Sequence, residues 1–319
     1  MKNQRKVLGM LASELCRRIP ENEDRDDKAW FHVRKFIRQH HKTLNEYEIT
    51  ATDGTADIID ETSRELEGEP GFEPLTVNRL GSRFRGVVRL AAQVAEGQVD
   101  RVLFFEDPED VQIEHPENYA LLRNCNLNGK ALLINEAAHL WAANKEGSGP
   151  MKPRFVNSVH NGMDQIPETV VFIAHDREKD RMARLALRYH IVLHWFPRLL
   201  ATCGTKTYLD KFLKATLPSQ ERLDITPAGR NRKDLRGARG GDVIVADEIF
   251  HIFEGNPGLL NDNEGPLYHV LFFMDDKEFR SPTLDTRILM RAFTNPELRV
   301  NLVFNSRMAE EWLDRYIDQ

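Results

Sequence analysis

The sequence predicts an α/β protein built from two tandem three-layer domains, each a parallel sheet flanked by helices. Three observations predict it. Short apolar runs alternate with helical patterns, motifs from the first half return in the second half in the same order, and a stretch rich in Gly and Pro separates the halves.

The repetition is the strongest of the three, because internal periodicity decides architecture before local pattern does. Ala51-Thr52-Asp53-Gly54-Thr55 returns as Ala201-Thr202-Cys203-Gly204-Thr205. Val102-Leu103-Phe104-Phe105-Glu106-Asp107 returns as Val270-Leu271-Phe272-Phe273-Met274-Asp275. Tyr119–Arg123 returns loosely as Arg287–Arg291, and Leu132-Leu133-Ile134-Asn135 as Leu302-Val303-Phe304-Asn305. The step is 150 positions from Thr52 to Thr202, 168 from Phe105 to Phe273 and from Arg123 to Arg291, and 170 from Asn135 to Asn305. Order is kept, and the second copy gains one extra stretch. Shared strand composition alone does not hold three different motifs in register, so the pattern predicts a tandem duplication.

The join falls in 144–168, where Gly147, Gly149, Pro150, Pro153, Gly162 and Pro167 interrupt regular structure. The expected division is a first domain over 1–146, a linker over 147–167 and a second domain over 168–319. Strands are expected at Val7–Ala12, Glu48–Ala51, Arg101–Phe105 and Ala131–Asn135, then at Val170–Ala174, Arg198–Ala201, His269–Phe273 and Arg299–Asn305. These runs lack clean alternation, as parallel strands covered on both faces do. Helical spacing is evident over Arg177–His194 and Met308–Tyr316.

Composition narrows the function. The chain of 319 residues has room for two domains, and its net charge of -6 argues against a general nucleic-acid binder. It leaves open a small anionic ligand, which senses only local charge. Cys16, Cys125 and Cys203 are odd in number and widely spaced, which reads as reduced, cytoplasmic usage. The apolar run Val7–Ala12 is too short for a signal peptide, and nothing is long enough to span a membrane.

The candidate chemistry lies after strands of the second copy, where parallel sheets bind ligands. His175-Asp176 with Lys179 follows one strand, and Thr202, Gly204 and Thr205 follow the next. A loop carries Arg236, Gly237 and Gly240-Gly241-Asp242, and Asp275 follows a third strand. A loop opening a helix offers N–H groups and hydroxyls to an anion, and Lys179 adds a charge. The carboxylates are expected to raise one another's pKa, which suits a general base.

Together these residues resemble methylglyoxal synthase. The motifs are Ala174-His175-Asp176 with Lys179, Ala201-Thr202 with Thr205, Gly237 with Gly240-Gly241-Asp242, and Phe272-Phe273 with Asp275; Asp285 also matches a site position. The resemblance covers nearly all of the second copy and, more loosely, the first. It implies a small parallel α/β domain and a reaction on dihydroxyacetone phosphate: deprotonation beside the carbonyl, then loss of inorganic phosphate to give methylglyoxal. No metal or organic cofactor is implied. By matching position, Asp242 is the base. Lys179, Thr202, Gly204, Thr205 and Gly237 hold phosphate with Arg236 beside them, and His175, Asp176, Asp275 and Asp285 shape the site. The family's usual ring of six single domains implies a trimer of duplicated chains.

The sequence departs from the family in places. Pro282 stands where the family has a histidine, Arg236 replaces a serine, and Val243–Tyr268 is longer. In the first copy Ser13-Glu14 replaces His-Asp, Arg17 replaces the lysine, and Val87 aligns with the base. That copy reads as a non-catalytic partner with a possible anion site at Arg17, Thr52, Thr55, Ser82 and Arg85. A sensor of phosphorylated metabolites, without turnover, is the alternative reading for the whole chain.

Overall fold

A computed structural model describes residues 6–13, 32–69, 72–106, 116–147, 155–157, 165–227, 268–275, 289–291 and 300–317. The chain forms two compact units that divide between Gly149 and Pro150.

In the first unit, β1 (Lys6–Ala12), β2 (Tyr47–Ala51), β3 (Val77–Arg79), β4 (Arg101–Phe105) and β5 (Ala131–Ile134) form one sheet. Its order is β3-β2-β1-β4-β5, and every pairing is parallel. The connecting helices are α1 (His32–Leu44), α2 (Asp53–Glu65), α3 (Arg83–Ala95) and α4 (Pro116–Leu127), and α5 (Glu136–Lys145) follows β5. The central strand β1 reads Val-Leu-Gly-Met-Leu-Ala after its exposed Lys6, and its last five residues are all buried. Such a run suits a strand covered on both faces. Helix α3 buries Val87, Leu90, Ala91 and Val94, the spacing of one helix face.

The second unit has the same order. A short antiparallel pair, β6 (Phe155–Asn157) and β7 (Gln165–Pro167), precedes it. Its sheet is β10-β9-β8-β11-β12, formed by β8 (Thr169–Ala174), β9 (Arg198–Ala201), β10 (Thr226–Pro227), β11 (Tyr268–Phe273) and β12 (Val300–Val303), again all parallel. Helices α6 (Lys179–Arg188), α7 (His190–Leu193), α8 (Cys203–Thr216) and α9 (Ser306–Ile317) accompany it. Met308, Ala309, Trp312, Leu313 and Tyr316 bury one face of α9.

Three local expectations need correction. The helix expected over Arg177–His194 is two helices, broken at Tyr189 (φ -106°, ψ 21°). There the buried ring sends its hydroxyl to Asp314 Oδ1 at 2.6 Å. The join expected to lack regular structure holds β6 and β7. The outer strands β3 and β10, three and two residues long, were not foreseen.

In both sheets the order reverses beside the central strand, between β1 and β4 and between β8 and β11. A crevice opens at such a point beyond the strands' carboxyl ends, and ligands of open α/β sheets bind there.

Candidate functional site

The second unit's crevice is built from the ends of β8, β9 and β11. Residue 174 of β8 pairs with residue 273 of β11, so His175 and Asp275 emerge close together. His175 N–H donates to the Phe273 carbonyl at 3.1 Å, and Asp275 N–H donates to His175 Nδ1 at 3.2 Å. Arg177 reaches Asp275 Oδ2 at 3.4 Å from the same turn as His175.

Strand β9 delivers Thr202 as the N-cap of α8. Lys206 N–H donates to the Thr202 carbonyl at 2.8 Å and closes the first turn. The N–H groups ahead of that bond have no carbonyl within their own helix, and they lie at the positive end of its dipole. Lys179, in the first turn of α6, lies directly over this turn. A Cβ built on Gly204 would stand 3.0 Å from Lys179 Nζ, so glycine leaves the space that the ammonium uses. A cation over a helix N-terminus is an anion site in the making.

The two threonines have different tasks. Thr205 is 1% exposed; its Oγ1 accepts from Ala174 N–H at 3.1 Å and from Thr202 Oγ1–H at 2.9 Å. It ties the end of β8 to the start of α8. Thr202 is half-buried and faces the crevice more openly.

Asp176 departs from the expected raised pKa. Its side chain is 94% exposed and bonds Lys179 Nζ at 2.6 Å. That hydrogen bond, with the ammonium's charge, holds the Asp176 carboxyl below the usual carboxylate range. Asp176 acts here as the lysine's partner, and an ionised, exposed carboxylate is a weak base.

The structure therefore gathers His175, Asp176, Lys179, Thr202, Gly204, Thr205 and Asp275 around one crevice. Asp242, Asp285, Gly237 and Arg236, and Arg17 of the first copy, lie outside the described residues, as does Pro282.

The first unit repeats the threonine stitch. Ala12 N–H donates to Thr55 Oγ1 at 3.0 Å, and Thr52 and Thr55 hydroxyls lie 2.9 Å apart. Other described residues at its strand ends are buried or engaged with protein groups. Ser13 and Glu106 are buried at the ends of β1 and β4. Thr52 is buried beneath Gly86, where an added Cβ would meet Thr52 Cγ2 at 2.8 Å. Asp53 begins α2, and its Oδ1 accepts Gly81 N–H at 3.1 Å while its N–H donates to the Gly81 carbonyl at 2.9 Å. Asp53 thus ties the start of α2 to the loop at Gly81 through both its backbone and its side chain. Ser82 and Arg85 are exposed nearby, and Arg79 is committed to Asp57 and Asp60. The variable residue of the threonine motif is Asp53 in the first copy and Cys203 in the second.

A methylglyoxal synthase of Clostridium beijerinckii is 34% identical over 110 residues, which are 34% of this chain and 84% of that protein. The chain belongs to the methylglyoxal synthase family. The methylglyoxal synthase of Carboxydothermus hydrogenoformans is 30% identical over 118 residues, covering 37% of this chain and 85% of that protein. That of Thermus thermophilus is 33% identical over 104 residues, covering 32% and 75%. Each methylglyoxal synthase aligns with about a third of this chain, less than the length of either unit. No family model matches the chain. Among the described residues, no helix is long and apolar enough to cross a membrane.

Proposed function

We propose that the chain is a lyase of the methylglyoxal synthase type, converting dihydroxyacetone phosphate to methylglyoxal and inorganic phosphate at the second unit's crevice. The observation that carries this reading is Lys179 Nζ lying over the first turn of α8 at Gly204, beside His175 and Asp275 at the sheet's switch point. The lysine and the helix N-terminus hold the phosphate of the substrate. That anchorage presents the carbon chain to a base, assigned by sequence match to Asp242. The base takes a proton from the hydroxymethyl carbon beside the carbonyl, giving an ene-diolate. Its electron pair then expels phosphate as the C–O bond breaks and the former hydroxymethyl carbon becomes the aldehyde, and the remaining enol tautomerises to methylglyoxal, gaining a proton on its methylene carbon and losing one from its hydroxyl oxygen.

In this reading the halves descend from one duplicated domain, with 168–319 catalytic and 1–146 not. Identical strand order and the identical threonine stitch support the duplication. The first unit's silence is supported by Val87, 0% exposed at the position matched to Asp242. Three such chains would give six domains, and light scattering reads that mass directly.

The test is Asp242→Asn. It keeps shape and removes basicity, so turnover should fall by about 10²–10⁴ with phosphate binding retained. Val87→Ala should leave turnover within about twofold. Wild-type turnover in Asp242→Asn rejects the assignment of the base.

A further inference from the structure

We infer that Arg177 is the second cation of the crevice, a fork whose terminal N–H groups grip the two neighbouring oxygens of the ene-diolate at the substrate's ketone end. The inference rests on the lyase reading for that intermediate. It confines the substrate class to phosphorylated ketones that carry a hydroxyl on the carbon beside the carbonyl.

Arg177 stands in the turn between β8 and α6, before Lys179 in the chain. The His175 carbonyl accepts Glu178 N–H at 2.8 Å and closes that turn. Arg177 Nε lies 3.4 Å from Oδ2 of Asp275, which follows β11, so the guanidinium spans the switch point. At that distance the pair is looser than an ordinary hydrogen bond, and the arginine side chain is 63% exposed. A pair so placed is held weakly and gives way readily to a ligand. The contact uses Nε, and among the described residues Nη1 and Nη2 have no partner. Other arginines are engaged differently. Arg34 gives its terminal nitrogens to Glu61 and Glu65, Arg79 gives both to Asp57 and Asp60, and Arg181 Nη1 bonds Glu178 at 2.9 Å.

Charge calls for a second cation. A phosphate monoester brings close to two negative charges, and deprotonation adds another. Lys179 is already engaged with Asp176 at 2.6 Å, so the lysine alone does not match the intermediate. Shape calls for an arginine. When the proton leaves the hydroxymethyl carbon for the carboxylate base, the C–H electron pair forms a C=C bond and the carbonyl pair moves onto the ketone oxygen. The double bond sets both carbons and their two oxygens in one plane. In its cis form, that pair of oxygens faces one way. A guanidinium is planar, and its N–H bonds form a fork that fits such a pair. In the ketone the hydroxyl turns freely about a single bond, so the fit improves as the reaction proceeds. Interactions that strengthen towards the transition state are the ones that accelerate chemistry. Arg177 donates hydrogen bonds and keeps its protons throughout, because a guanidinium does not deprotonate in proteins.

The probe for the fork is a phosphorylated hydroxamate, whose planar group carries two neighbouring oxygens as the ene-diolate does. The wild-type chain should bind it more tightly than inorganic phosphate. Arg177→Gln should weaken the hydroxamate about 10²-fold, the loss of hydrogen bonds to a charged group. Its affinity for inorganic phosphate, held under Lys179, should stay within about threefold. Arg177→Lys keeps the charge without the fork and should remain at least about tenfold weaker than wild type for the hydroxamate. In turnover, Arg177→Gln should lower kcat about 10²–10³-fold, and added guanidinium ion should restore part of the rate of Arg177→Ala. Equal losses of hydroxamate and phosphate affinity, or a lysine variant equal to wild type, overturn the inference. Product formation with unchanged hydroxamate affinity in Arg177→Gln ends the role of Arg177 and spares the lyase reading. Selective loss of the hydroxamate, with no phosphate released from dihydroxyacetone phosphate by the wild type, keeps the fork and ends the lyase reading.

Discussion

Gly204→Ala is expected to move stability and phosphate affinity in opposite directions. The new Cβ would stand 3.0 Å from Lys179 Nζ and 3.7 Å from Cε. Ordinary contact begins near 3.4 Å, so the ammonium must retreat by a few tenths of an ångström. Lysine's stem is flexible, so this retreat costs the fold little. Alanine also removes the entropy penalty of a helical glycine, about 0.5–1 kcal/mol. The melting temperature should therefore hold or rise, by about 1–4 °C. Phosphate binding should weaken, because a hydrogen bond to a charged group contributes about 1.5–3 kcal/mol and here is only partly lost. A loss of about 1–2 kcal/mol is about 5–30-fold in Kd. Calorimetric titration with inorganic phosphate, beside a thermal melt of each protein, reads both quantities. Unchanged phosphate affinity in a folded Gly204→Ala protein would refute the placement of the anion under Lys179. A lowered melting temperature would refute the claim that the glycine serves the ligand and not the fold.

Other perturbations follow from the same geometry. Thr205→Val leaves Ala174 N–H buried without its acceptor, which should cost about 1–3 kcal/mol in chemical denaturation. Thr55→Val should cost a similar amount through Ala12 N–H, and near-zero effects at both sites would show the stitch to be idle. Asp53→Ala removes the carboxylate that bonds Gly81 N–H and should cost about 0.5–1.5 kcal/mol in chemical denaturation; an unchanged stability would show that tie to be idle. Burial pushes the Cys125 thiol up to about 12 from its ordinary 9.0. The folded state therefore keeps a proton that the unfolded chain loses, and this contribution is full below pH 9 and lost as pH rises towards 12. Cys125→Ala should flatten that alkaline loss of stability, and an unchanged alkaline limb in urea titrations would contradict it.

The central strands were legible because burial on both faces leaves continuous apolar runs, as in Val170–Ala174 and Val102–Phe105. The outer strands were not. Val77–Arg79 is mostly exposed and only three residues long, and Thr226–Pro227 carries a proline with no amide proton. The break at Tyr189 depends on Asp314, a partner 125 residues away, so no local pattern announces it. At the site, residue types located the crevice but not each side chain's task. Thr202 and Thr205 look alike in sequence, yet only Thr205 has its hydroxyl buried against Ala174. Asp176 was expected among mutually repelling carboxylates, whereas a lysine one helical turn ahead, Lys179, lowers its pKa. Packing and pairing in three dimensions decide such roles.

The central claim is that the second unit's crevice turns a phosphorylated ketone into methylglyoxal. Its most direct test incubates the purified chain with dihydroxyacetone phosphate and follows phosphate and methylglyoxal together. The account predicts that the two products appear in equal amounts, and that Lys179→Ala and Asp242→Asn each abolish most of both. Tight binding of dihydroxyacetone phosphate with neither product formed would contradict it and make the chain a sensor.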